Sequence, residues 1–248
     1  MIQFFAPDLI STGILTPEDS RHCCKVLRHR AGDEISVIDG SGHRYCCRIL
    51  DPDPRGTQVE IIGTELIPPH WKPEITLAVA PTKNMDRMEW MVEKSVEIGV
   101  NRIVPLLCEH SERKTIKTER LVNIAVSAMK QSLKTTLPKV EPLTRFNDFI
   151  DRCQTLHTSG NPKQCFMGYC DRNYPLLRLV DEYQPGADAV IMIGPEGDFS
   201  PDEVAYAVKS GFIPVTFGQS RLRTETAAIS ALDTIHLLNM IATGRPNA

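Results

Sequence analysis

Two loops combine glycine, proline and charge in arrangements suited to chemistry. The first reads Ile193-Gly194-Pro195-Glu196-Gly197-Asp198-Phe199. Glycines on either side of Pro-Glu let backbone approach a bound molecule closely, while the proline holds the loop in shape. Taken alone, the same residues serve equally as a tight turn from strand to helix, and that plainer reading is preferred. Phosphate is a poor ligand for it, because GxGxxG and GKS/T are both missing and an acidic side chain would repel the charge.

The second loop runs from Phe217-Gly218 through Ser220-Arg221-Leu222-Arg223 to Thr224-Glu225-Thr226-Ala227-Ala228. Thr224 reads as a helix cap and Glu225 as a complement to the helix dipole. Capping leaves Arg221 and Arg223 unexplained, since positive charge ahead of a helix N-terminus is unfavourable unless it faces something negative. A shorter signal, Gly168-Tyr169-Cys170 at the end of CFMGYC, fits a strand end in a core as well as a binding loop.

Other chemistries find little support. The seven histidines show neither HxxH nor HxxxH spacing, so no metal is expected. Eight cysteines occur as Cys23-Cys24, Cys46-Cys47 and singles, without CxxC, and read as reduced thiols. The opening MIQFFAPDLI has no basic stretch followed by a long apolar one, and no run approaches the length of a membrane span. A cytoplasmic protein without a membrane partner is expected.

A net charge of -3 supplies no global pull on nucleic acid, so contacts to phosphate must come from local clusters. One cluster is Arg21, His22, Lys25, Arg28, His29 and Arg30; for it, a solvated face and a phosphate contact are equally good readings. The other comprises Arg113, Lys114, Lys117, Arg120, Lys130 and Lys134, and reads more readily as a solvated face.

The elements that must position these loops follow from pattern. Residues 1–70 read as a small β-rich domain: EISVIDG, HRYCCRIL and TQVEIIGTELI are short strands, interrupted by one helix. Thr16 caps that helix, Pro17 opens it and Gly32 lies past its end, which places the first basic cluster on it. The prolines of Pro68-Pro69-His70-Trp71-Lys72-Pro73 set the boundary.

Residues 71–248 alternate apolar runs with helical patterns. ITLAVA precedes a helix whose Met88, Met91, Val92, Ser95 and Val96 share one face and which Gly99 ends. Then come RIVPLLC, a helix over 118–133, CFMGYC, a short helix after Pro175, AVIMIG, a helix from 201, IPVTFG and a last helix from about 225. Ser200, Pro201 and Glu203 form a full start signal for the helix at 201. This rhythm predicts an α/β domain with a mostly parallel sheet, whose ligands gather at the carboxyl ends of strands.

The blocks HCCKVLRHRAGDEISVIDGSG, KNMDRMEWMVEKSVEIGVNRIVPL, IGPEGDFSPDEV and GFIPVTFGQSRLRTETAAISAL resemble, in order and over nearly the whole chain, the ribosomal RNA small subunit methyltransferase E family. Where that family more often has KGDRME, this chain has the longer KNMDRME. The resemblance implies an amino-terminal PUA-like β-barrel that helps hold RNA and a carboxy-terminal SPOUT α/β domain with a trefoil knot. It further implies a homodimer, S-adenosylmethionine as methyl donor, and methylation of N3 of a uridine in 16S ribosomal RNA of the small subunit.

Carried over residue by residue, the family's cofactor site falls on Gly168, Ile193, Gly194, Glu196 and Gly197, then on Phe217, Gly218, Leu222, Arg223, Thr224, Thr226 and Ala227. Arg223 reads as the donor that stabilises the uracil oxygen. Glu225 or Glu196 reads as the base, or else as a helix cap or a shaper of its loop. Arg21, Lys25, Arg28 and Arg30 read as phosphate-positioning residues. A non-catalytic ribosome-assembly factor with the same fold is the main alternative, and intact cofactor loops argue against it. A nucleotide-linked dehydrogenase is disfavoured because no strand leads into GxGxxG.

Overall fold

The computed structural model describes residues 2–157, 163–170 and 177–244. The chain forms two compact units: Met1–His70 with Ala125–Leu137, and Trp71–Ile124 with Pro138–Ala248.

In the first unit, β1 (Gln3–Phe5), β2 (Glu34–Ile38), β3 (His43–Asp51) and β4 (Gln58–Leu66) form a sheet in that order. The first pair is parallel and the others antiparallel. Period-two alternation turns Tyr45, Cys47 and Ile49 of β3 into a core with Phe4, Leu9 and Val37. Two helices precede β2 rather than one, because Leu9–Thr12 forms α1 before α2 (Pro17–Arg21). Thr16 Oγ1 accepts from the Asp19 N–H at 3.3 Å, and Pro17 takes the first position of α2.

The basic cluster departs from the single helical face that its spacing predicts. Beyond Arg21 the backbone widens into a π turn over His22–Val26, closed by the Leu27 N–H on His22 O at 3.0 Å. Arg28 then adopts φ 60°, which ends helical structure. Arg21, Lys25, Arg28 and Arg30 are all exposed, but the last two lie past the helix. Buried Asp19 accepts from the Phe5 N–H and pairs with Lys130, so the segment Ala125–Leu137 is bonded into this unit.

The second unit is built on a parallel sheet. Its strands are β5 (Ile75–Val79), β6 (Arg102–Leu107), β7 (Lys139–Val140), β8 (Thr144–Arg145), β9 (Gln164–Gly168), β10 (Leu177–Arg178), β11 (Ala189–Ile193) and β12 (Ile213–Thr216). Their order is β10-β12-β9-β11-β5-β6-β7, with β8 also on β6. Every residue of β5 and β11 is buried, as both faces of a parallel sheet are covered by helices. Helices α3 (Met85–Ile98) and α8 (Thr224–Thr243) pack on each other, and α8 packs on β5 and β11.

The five residues predicted to share a face of α3 are all buried, and the Gly99 N–H closes that helix on Ser95 O. α4 (Thr118–Gln131) ends two residues before its predicted limit. α5 (Phe146–His157) and α7 (Pro201–Lys209) pack together, and α6 (Leu179–Glu182) is a single turn. Pro175, which the sequence places before that turn, lies outside the described residues. α5 is absent from the sequence reading, although Phe146, Phe149, Ile150 and Cys153 recur at helical spacing and are buried against β6 and β9 residues. Within the second basic cluster, Arg113 donates to Thr82 O and Lys83 O and Arg120 pairs with Glu89, while Lys114 and Lys117 are exposed. No helix among the described residues is long and apolar enough to cross a membrane.

Candidate active site

Parallel register sets the level of the site. Ile193 pairs with Gly168 and with Val79, and Gly168 pairs with Val215, so the carboxyl ends of β5, β9, β11 and β12 finish side by side. The loops that leave these tips enclose a cleft of about 370 Å³. Apolar walls come from Ile193, Val215, Phe217, Leu222 and Ala227, while Arg87, Arg221, Arg223, Glu196, Asp198 and Glu225 supply the charged lining.

The glycine-proline-glutamate turn is held from several sides. Ala80 N–H donates to Ile193 O at 2.9 Å, Lys83 N–H to Glu196 Oε1 at 3.0 Å, and Thr224 Oγ1 to Gly194 O at 3.1 Å. The last bond corrects the reading of Thr224. The N-cap of α8 is Arg223, whose side chain makes no capping bond, and Thr224 is the first helical residue, with its hydroxyl spent on the turn. At α7 the predicted start signal is complete: Ser200 Oγ accepts from the Glu203 N–H, and Glu203 Oε2 from the Ser200 N–H.

Glycine at 168 is demanded by space. A Cβ there would lie 2.8 Å from Phe217 Cε2 and 2.9 Å from Ile193 Cδ1, both cleft residues. Gly194 is nearly as confined, 3.1 Å from the Phe199 ring. At the cleft, partial burial pushes the Cys170 thiol up, the Asp198 charge adds to that, and Arg221 opposes it.

Of the twelve residues predicted to hold a cofactor, nine line the cleft, the exceptions being Gly197, Gly218 and Thr226. Gly197 instead lies against His110, Gly218 is an exposed loop residue, and Thr226 sits on the exposed side of α8, away from Thr224 and Ala227. Glu225 is buried and pairs with Arg87 at 3.7 Å, whereas Glu196 and Arg223 are exposed at the cleft. Arg21, Lys25, Arg28 and Arg30 belong to the other unit. Sequence reasoning assigned no role to Arg87 or Asp198. Arg87 stands in the quoted KNMDRME block and Asp198 in the quoted turn, but their approach to the cleft comes from the sheet, not from local spacing.

Comparison with known proteins follows the same two-part division. An RNA methyltransferase domain matches residues 69–236, and an RNA methyltransferase PUA domain matches residues 15–62. The ribosomal RNA small subunit methyltransferase E of Aquifex aeolicus is 30% identical over 213 residues, 83% of this chain and 86% of its own.

The chain belongs to the ribosomal RNA small subunit methyltransferase E family.

Two crystal structures place that membership in three dimensions. A probable rRNA-methyltransferase from Porphyromonas gingivalis is 40% identical with a TM-score of 0.88, covering 99% of this chain and 100% of the other. The ribosomal RNA small subunit methyltransferase E of Neisseria gonorrhoeae, bound to S-adenosyl methionine, is 29% identical with a TM-score of 0.82, covering 96% and 98%. The fold of this family member is thus the SPOUT-type α/β methyltransferase domain preceded by a PUA-like domain.

Proposed function

We propose that this protein transfers the methyl group of S-adenosylmethionine to N3 of a uridine in 16S ribosomal RNA. The observation that carries the reading is the cleft between the glycine-proline-glutamate turn and the arginine-bearing loop before α8, at the carboxyl tips of β9, β11 and β12. The lining suits the cofactor. It has an apolar wall for an adenosyl group, glycine where a side chain would close the space, and no phosphate-binding loop, which a donor without phosphate does not need.

Gly168, Ile193, Gly194, Glu196, Phe217, Leu222, Arg223, Thr224 and Ala227 would hold it, with Gly197, Gly218 and Thr226 shaping the loops behind them. When bound, the cofactor supplies an electrophilic methyl group on a sulfonium. The protein's own share is alignment and exclusion of water around an unpaired base. Uridine N3 carries a proton that must leave. Glu225 is buried and paired with Arg87, whereas Glu196, although Oε1 accepts from the Lys83 N–H, is exposed at the cleft, and that exposure makes it the better placed base. Arg223, an uncapping cation at a helix N-terminus, would donate to the uracil oxygen on which negative charge collects.

In the amino-terminal unit, Arg21, Lys25, Arg28 and Arg30 would contact phosphates and fix the RNA's register. We take residues 1–70 as the RNA-holding domain and 71–248 as the transferring one. A homodimer agrees with the exposed Leu237, Met240 and Ile241, which lie within about one turn of each other on α8. The reading places the enzyme in the cytoplasm, with the small ribosomal subunit as partner.

Nucleoside mass spectrometry of 16S RNA from cells with and without the protein tests the whole reading. Loss of N3-methyluridine on deletion, restored by the gene, is expected; an unchanged spectrum, with adenosylmethionine failing to bind in calorimetry, would refute it in favour of a non-catalytic assembly factor.

A further inference from the structure

Asp198 has a conformation that needs a reason. Its φ of 63° lies in the left-handed region, where a side chain is disfavoured and glycine is the residue of choice. It nevertheless carries a carboxylate at the cleft, and that carboxylate reaches across two loops. Oδ2 accepts from the Cys170 N–H at 3.4 Å, beyond the end of β9, and Oδ1 from its neighbour Phe199 N–H at 2.9 Å. The residue's own N–H closes the turn on Pro195 O at 2.9 Å, and its carbonyl meets His110 Nδ1 at 3.0 Å. Through one residue the glycine-proline-glutamate turn is thus bonded to the loop after β9 and to the loop after β6.

We infer that Asp198 is a positioning residue for the methyl donor, its carboxylate tying the turn after β11 to the tip of β9 so that the two walls keep the spacing the donor needs. This rests on the cleft being the adenosylmethionine site. Aspartate tolerates this conformation with the help of its local bond from the Phe199 N–H, and that bond uses Oδ1, while Oδ2 reaches the tip of β9.

Calorimetric titration of wild type, Asp198→Gly, Asp198→Ala and Asp198→Asn with S-adenosylmethionine and S-adenosylhomocysteine, alongside thermal melts, tests the assignment. The Gly variant is expected to melt no lower than wild type yet to bind both ligands about 5- to 10-fold more weakly, the loss of one such tie. The Ala variant should lose at least as much. Asn should recover part of the affinity, because its amide oxygen still accepts from Cys170. Wild-type affinity in the Gly variant, or equal loss in the Asn and Gly variants, would overturn the role given to Asp198. Failure of wild type to bind either ligand would instead overturn the cofactor reading, and this assignment with it.

Discussion

Gly168 and Arg223 bound the cleft in opposite ways, one by having no side chain and the other by presenting a charge. Adding a methyl group at 168 drives it into Phe217 and Ile193. Overpacking of this kind costs about 1–3 kcal/mol, and here the neighbours that must yield are cleft walls. Gly168→Ala is therefore expected to weaken adenosylmethionine about 10-fold or more in calorimetry and to lower the melting temperature by several degrees. Arg223→Ala should lower kcat about 100-fold, the scale seen when one oxyanion donor is lost, and depress turnover far more than it weakens cofactor binding. An unchanged turnover number would remove Arg223 from the mechanism. Arg223 was legible in the sequence as a cation where the helix dipole discourages one. Arg87 and Asp198 were not, because Arg87 meets Glu225 across 138 positions and Asp198 meets Cys170 across 28, distances that no local spacing encodes.

Elements were legible to the extent that their own residues set them. The capping box at Ser200 and the apolar face of α3 can be read from adjacent turns, and both are present. α5 escaped because three of its first six residues, Asn147, Asp148 and Asp151, are common outside helices, and its stability comes from packing on the sheet rather than from propensity. Near α5, Glu141 is held by Arg102 and Arg152. Burial pushes its carboxyl up, but hydrogen bonds and charge from the two arginines outweigh burial and hold it below the usual range. With the folded value below the unfolded one of about 4.3, the stabilisation is present above that pH and is lost as pH falls through the folded value. Glu141→Gln should thus cost about 1–3 kcal/mol in urea unfolding at pH 7, with the gap to wild type narrowing below about pH 4. In the first unit, the π turn carries Lys25 and the residues after it away from the line of Arg21. Replacing Arg21 and Lys25 with Ala should weaken RNA binding and flatten its dependence on salt, with log K slope falling by up to about 2. A slope that stays put would make this a solvated face.

At the scale of the whole molecule, the parallel sheet was legible from alternation, whereas three prolines and a change of rhythm gave no sign that Ala125–Leu137 belongs with the first unit. The order of the sheet's strands was not legible, since β9 pairs with β11 and β12 through crossovers that leave no trace in spacing. Nor can periodicity reveal a knot, which is a property of the chain's path. Self-association is open to a direct test. Met240→Lys with Ile241→Glu places charge on the exposed apolar strip of α8, and light scattering should then report a monomer, against the dimer expected of wild type.

The first unit takes its last strip of sequence, Ala125–Leu137, from more than fifty residues beyond its own strands, and buried Asp19 finds its lysine only there. During synthesis the amino-terminal sheet therefore emerges with a carboxylate still lacking its counter-ion, and must wait for the growing chain to pass Lys130. The first unit is thereby made dependent on its successor: cutting after the proline stretch would release a fragment with a missing piece, and a grafted version would have to carry that later strip with it.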